Sequence, residues 1–248
     1  MQKKKLIIVG LAFFIIISLL AYFIFVKGGK SRLSYFKNQA VQTEVLNIED
    51  KKIADNTNPF KIDISYPYIA EQNDFNVLVK NIIDGEISDF KRNSLENDNA
   101  VKETDPVNYN KYPREYDLII SYDKGQVDSQ LISVVFDISN YTGGAHGARY
   151  QISLNYNQKD KKEITLADVF SNQKDYLQKI SDFCVADITK QITAIGQSTD
   201  GTWIKDGAGP LAENFNIFLI NKDSITFYFP QYQVAPYVFG EFKVTMPR

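Results

Sequence analysis

Residues 131–156 read LISVVFDISNYTGGAHGARYQISLNY, and the fold class turns on them. Residues 131–138 are apolar on both faces, as expected of a central strand with matter on either side. In the second half Tyr150, Ile152, Leu154 and Tyr156 alternate with Gln151, Ser153 and Asn155, the pattern of a strand with one wet face. Between them stands Tyr141-Thr142-Gly143-Gly144-Ala145-His146-Gly147, too polar and glycine-rich to continue either strand.

Upstream, Tyr116, Leu118, Ile120 and Tyr122 alternate as a strand, with Asp123-Lys124-Gly125 expected as a turn. Before them, residues 97–113 read as a polar loop. Phe75, Leu78, Val79, Ile82, Ile83, Ile87 and Phe90 fall on one helical face, which predicts a helix over about 74–95 with Asp74 as N-cap or first-turn acid. Residues 60–64 alternate as a strand, and residues 41–48 are a further strand candidate.

Downstream, Leu177, Ile180, Cys184, Ile188 and Ile192 define a second helix over about 174–195. Three strands follow, over 215–220, 224–229 and 239–246, the first two joined through Lys222-Asp223. Strand, helix, three strands, helix, three strands predicts α+β: two associated subdomains, over 58–157 and 158–248, each an antiparallel sheet covered by a long amphipathic helix.

Residues 6–26 form an unbroken apolar run of 21, preceded by Lys3, Lys4 and Lys5. About 20 such residues cross a bilayer core. Secretory signal regions are shorter and end at small residues, whereas Ala21 is followed by Tyr22, Phe23, Ile24 and Phe25. The expectation is an uncleaved signal anchor: residues 1–5 cytoplasmic, 6–26 in the membrane, 27–57 a tether, and the remainder outside. Residues 33–248 hold 22 basic and 30 acidic residues, a net charge of −8. That balance disfavours nucleic acid and suits a cationic partner. One cysteine excludes a disulfide framework and one histidine excludes a histidine-rich metal site, so neither metal nor cofactor is expected.

Three segments offer chemistry. In the Gly143-Gly144 loop, paired glycines permit positive φ and close approach of a ligand, and His146 supplies an imidazole, a residue type used in acid–base chemistry. Thr142 is the residue there to propose as a nucleophile. The alternative is a structural turn. The glycine-rich segment 196–210 carries the only tryptophan, Trp203, readable as an exposed stacking platform or a folded-back plug. The third, residues 229–240, is rich in proline and aromatics that pack or bind. Tyr141, Gly143, Gly144, His146, Trp203 and Gly207 are the candidate partner-binding residues. No paired carboxylates, metal cluster or triad can be picked out, so no catalytic residue is assigned.

Several motifs carry a family resemblance. Ile62-Asp63-Ile64-Ser65-Tyr66-Pro67 followed by an amphipathic helix, the Gly143-Gly144-Ala145-His146-Gly147 loop, Ile164-Thr165-Leu166-Ala167-Asp168-Val169-Phe170, and Trp203 with Gly207 and Pro210 resemble the extracytoplasmic module of RsiV-type anti-sigma factors. Related modules occur in PdaC-type peptidoglycan deacetylases and other bacterial envelope proteins. The resemblance covers about residues 58–248 and implies an α+β envelope module that senses or binds; some members bind lysozyme-type muramidases. Five residues precede the apolar run, and no deacetylase domain is expected after Arg248. The expectation is therefore the module alone, with neither sigma-factor control nor deacetylation carried over. Three functions stay open: a sensor or inhibitor of a cationic muramidase, a peptidoglycan- or glycan-binding accessory module, and an envelope enzyme.

Overall fold

The strand at residues 131–138 lies inside a six-stranded sheet. The computed structural model describes residues 44–111, 114–198 and 201–248. The apolar run at 6–26 and the start of the strand expected over 41–48 lie outside these residues. Among the described residues no helix is long and apolar enough to cross a membrane.

The elements are β1 (Glu49–Asp55), β2 (Phe60–Tyr68), α1 (Asn73–Thr104), α2 (Pro106–Lys111), β3 (Tyr116–Val127), β4 (Leu131–Tyr141), β5 (Ala148–Asn157), β6 (Lys162–Glu163), α3 (Leu166–Val169), α4 (Tyr176–Ala194), α5 (Thr202–Gly207), β7 (Phe218–Ile220), β8 (Ser224–Phe229) and β9 (Phe242–Pro247). Strands β1 to β6 form one sheet in chain order, and β7, β8 and β9 a second. The architecture is α+β with two sheets.

The expectation of purely antiparallel sheets is corrected at one pair: β2 and β3 run parallel, with Ile62 opposite Leu118 and Ile64 opposite Ile120. Helix α1 links them as a crossover, and a strand that returns through a helix on one face arrives in the same direction. The tether expected to reach residue 57 is also shortened, because β1 pairs with β2 from Glu49 to Asp55. Its sequence, EDKKIAD, is what a charged edge strand looks like, and among the described residues of the 41–48 segment Val45 makes an isolated bridge to Asp128.

Helix α1 extends to Thr104, well into the region read as a loop. Nothing breaks it before Pro106. Its last turns pack through polar groups that carry no apolar period: Ser94 is buried, Asn97 binds Thr142, and Asp98 binds two tyrosines. Asp74 sits in the first turn rather than at the cap, ion-paired to Lys161 at 2.9 Å. The Asp123-Lys124-Gly125 turn is likewise absent, since β3 runs through it and bulges between Lys124 and Val127. A Cβ on Gly125 would stand 2.3 Å from the Ile220 carbonyl oxygen, so this glycine lets β7 approach. The real turn is made by Asp128, whose Oδ1 accepts from the amides of Gln130 and Leu131.

Strand β4 is buried on both sides because each face has its own cover. Ile132, Val134, Phe136 and Ile138 meet Phe75, Val79, Ile83 and Phe90 of α1. On the opposite face Val135 packs with Leu219 and Tyr228 of the second sheet. The wet face expected on β5 is therefore not wet: Gln151 and Asn155 are buried. The second sheet buries Ile180, Cys184, Ile188 and Ile192 of α4 in a core with Phe215, Phe227, Phe229 and Val244. Ser133 joins the two sheets. Its Oγ donates to Asn155 Oδ1 at 2.6 Å and accepts from the Ile220 amide at 2.7 Å, while Asn155 Nδ2 donates to the Phe218 carbonyl at 3.0 Å.

Candidate functional site

Beyond β4 the chain turns through Gly143 at φ 102° and Gly144 at φ 106°, backbone that an L side chain rarely adopts. The loop rests on α1 and β3: Asn97 Nδ2 donates to the Thr142 carbonyl at 3.0 Å, and a Cβ on Gly143 would touch the Tyr116 ring at 3.4 Å. The Tyr141 hydroxyl donates to the Gly144 carbonyl at 3.0 Å. Burial, followed by its hydrogen bond to Asp98, pushes the Tyr116 phenol up to about 12, so the loop stands on a neutral ring. Thr142 Oγ1 is occupied as an acceptor from Asn97, 3.3 Å away. His146 is exposed, and its hydrogen-bond partner among the described residues is the Gly147 carbonyl, 2.9 Å from Nδ1. The nucleophile–base pair weighed from sequence is not assembled here.

Trp203 lies on the short helix α5 rather than on a loose loop. Its indole N–H donates to the Tyr232 carbonyl at 2.8 Å, yet the residue stays 40% exposed. It thus has a pinned edge and an open face, combining the two readings of its sequence. Gly207 permits the next contact, because a Cβ there would fall 1.8 Å from the Gln233 carbonyl oxygen. Gln233 Nε2 then donates to the carbonyls of Gly207 at 2.8 Å and Asn214 at 2.9 Å. These bonds fasten the segment after β8 onto α5.

That segment connects the two candidate loops. Tyr232 has φ 71°, a left-handed conformation costly for a bulky residue, and it holds the ring 53% exposed. The Tyr232 and Tyr237 ring centroids are 5.5 Å apart, and Tyr237 lies 4.9 Å from the His146 ring. Trp203, Tyr232, Tyr237 and His146 therefore form one exposed strip. Beside it runs an open groove of about 540 Å³ lined by Thr202, Trp203, Asp206, Gly207, Asn214 and Gln233. The sequence marks this segment as one that packs or binds, without setting Tyr232 and Tyr237 apart from its other aromatics. The available signal was the density of aromatics between Pro230 and Pro236.

An ionic clamp holds the strip against the sheet. Arg149 reaches Asp137 with Nε at 2.9 Å and Nη2 at 2.5 Å, and Glu241 with Nη2 at 3.4 Å; Gln151 Nε2 also donates to Glu241. The hydrogen bonds to Asp137 raise the Arg149 pKa further above its ordinary value. The clamp ties β4 and β5, which flank the His146 loop, to the residue that begins the return into β9. No group of three or more His, Cys, Asp or Glu among the described residues is placed to hold a metal ion. The arrangement offers aromatic faces and a shallow polar groove, suited to stacking against a ligand with an apolar face and a polar rim.

Residues 53–149 match the family model described as deacetylase PdaC, and residues 167–248 match the model of a protein of unknown function, DUF3298. Over 227 residues the chain is 24% identical to the peptidoglycan-N-acetylmuramic acid deacetylase PdaC of Bacillus subtilis (strain 168), a match spanning 87% of this chain and 46% of that protein. The chain thus spans less than half the length of that relative. Among solved structures, a DUF3298 family member from Bacteroides fragilis NCTC 9343 is similar at a TM-score of 0.50 and 18% identity, over 83% of this chain and 90% of its own. A DUF3298 family protein from Pseudomonas aeruginosa PAO1 gives 0.50 and 12%, over 82% and 90%. At these identities the structural likeness shows the fold alone. The family matches bear out the resemblance to a PdaC-type envelope module, here with a DUF3298 segment after it.

Proposed function

We propose that this chain is an extracytoplasmic module, anchored through residues 6–26, that binds the glycan of peptidoglycan along the strip of Trp203, Tyr232, Tyr237 and His146. The observation that carries the reading is the strip itself: aromatic faces held open by backbone strain and hydrogen bonds, next to a groove lined with amides and a carboxylate. A pyranose ring has an apolar C–H face and a polar rim, and an aromatic face with its negative quadrupole complements the first. The name of the Bacillus subtilis relative supports the choice of polymer, since it specifies peptidoglycan for that protein. Tyr and Trp present large rigid area at low entropic cost, as ligand-contacting residues do.

The net charge of −8 over residues 33–248 favours a second reading, a cationic muramidase as partner. Both are tested at once by presenting the solubilised chain to insoluble peptidoglycan and to lysozyme side by side. The glycan reading predicts co-sedimentation with peptidoglycan, weakened in Trp203→Ala by about 2 kcal/mol, roughly thirtyfold, with the melting temperature almost unmoved. Lysozyme capture without peptidoglycan binding would shift the assignment to a protein partner. A Trp203→Ala variant that melts lower and binds peptidoglycan equally well per folded molecule would make the indole a plug and sink the strip. Anchoring has its own test: protease added to intact spheroplasts should digest the exterior, and protection until lysis would refute it.

A further inference from the structure

A second cleft, of about 570 Å³, opens at the far end of α1, with Asn58, Leu95, Asp98, Tyr109, Asn110 and Arg114 among its lining. Its chemistry is unlike that of the strip. Arg114 stands with its guanidinium 5.5 Å from the centre of the Tyr109 ring. Its Nε is buried and without a hydrogen-bond partner among the described residues, and the nearest carboxylate oxygen, Asp98 Oδ1, is 4.0 Å away. Asp98 is already engaged: the Tyr109 hydroxyl donates to Oδ2 and the Tyr116 hydroxyl to Oδ1, each at 2.7 Å. Burial works against the Asp98 charge, yet the bonds from Tyr116 and Tyr109, with Arg114 and Lys102 nearby, keep its pKa below the ordinary value.

A guanidinium carries five N–H donors in a planar fork that matches a carboxylate bidentately, and a partly buried donor left unpaired is costly. Here the guanidinium stands over an aromatic ring, and the carboxylate nearest to it, Asp98, 4.0 Å from Nε, also accepts from two tyrosines. Lys102 adds a second positive charge, its Nζ 5.8 Å from the centre of the same ring. Lys111 also lines the cleft and Asp105 is a second carboxylate whose charge Arg114 favours, so among the described residues three cations, Arg114, Lys102 and Lys111, stand with two carboxylates, Asp98 and Asp105. Leu95, half exposed, supplies an apolar wall, and Asn58 and Asn110 bring carboxamides to the rim.

We infer that this cleft is a carboxylate-binding site in which Arg114 receives the acid group of a small ligand and Leu95 covers its short aliphatic substituent. The inference does not rest on the aromatic strip. The same chemistry is presented by the free C-terminus of a short peptide and by the lactyl acid of a muramic sugar. Isothermal titration of the full-length chain in detergent micelles separates these sources. The probes are acetyl-D-alanyl-D-alanine and its C-terminal amide, and N-acetylmuramic acid and its methyl ester. At least one acid should bind tenfold or more tightly than its neutral counterpart, and which acid does so identifies the source. Arg114→Gln should abolish that preference, while Arg114→Lys, keeping the charge without the fork, should retain a reduced part of it. Two acids that bind no better than their neutral counterparts would overturn the inference on the unaltered protein, so the result does not depend on whether a variant folds. An unchanged preference in folded Arg114→Gln would overturn it as well. Either outcome leaves peptidoglycan binding at Trp203 to its own test.

Discussion

Ser133→Ala removes one hydroxyl and leaves two buried groups without partners. The Ile220 amide loses its acceptor at 2.7 Å, and Asn155 Oδ1 loses its donor at 2.6 Å. Ser133 is fully buried and Asn155 nearly so, so water cannot replace either bond without opening the seam between the sheets. An unsatisfied buried polar group costs about 1–3 kcal/mol, and partial relaxation of the pair brings the expected loss to about 2–4 kcal/mol. For a chain of this size each kcal/mol lowers the melting temperature by roughly 2–4 °C, so a drop on the order of 10 °C is expected. Urea unfolding followed by far-ultraviolet circular dichroism measures the loss directly. Ser153→Ala is the control: its hydroxyl donates to the Asn216 carbonyl at 3.1 Å from a more exposed position on the neighbouring strand β5, and its loss should cost about 0.5 kcal/mol or less. Equal costs for the two variants would refute the argument that buried side chains stitch β7 to β4 and β5.

Gly125→Ala should destabilise by more than about 1 kcal/mol, because its Cβ meets backbone at Ile220 rather than a yielding side chain; a neutral result in the same unfolding assay would remove the close approach. Asp98 has a lowered folded pKa, so its contribution is present above the unfolded carboxylate value and is lost as pH falls through the folded one; Asp98→Asn should flatten the stability-against-pH curve in that acidic window and nowhere else. Burial pushes the Cys184 thiol up to about 12, so a disulfide reagent at pH 8 should label it only after denaturation, and fast labelling of the native protein would mean that the α4 core is open.

The helical spacing of Ile180, Cys184, Ile188 and Ile192, and the two-sided apolar run of β4, could be read before any coordinates. An amphipathic period records burial against whatever lies next to the element, and that record is local. The end of α1 is not legible, because Asn97 and Asp98 pack by hydrogen bonds to residues 11 or more positions away and leave no period. Edge strand β1 was hidden by its charges. Gln151 and Asn155 looked wet for the same reason: a polar side chain buried against a partner sheet is identical in sequence to one facing water. The candidate loops were picked one at a time by glycine, histidine and tryptophan. Only the tertiary structure brought Tyr237 against His146, 91 residues away, and Tyr232 against Trp203. Such contacts depend on how two sheets meet, and no short-range pattern along a chain encodes the position of a second sheet.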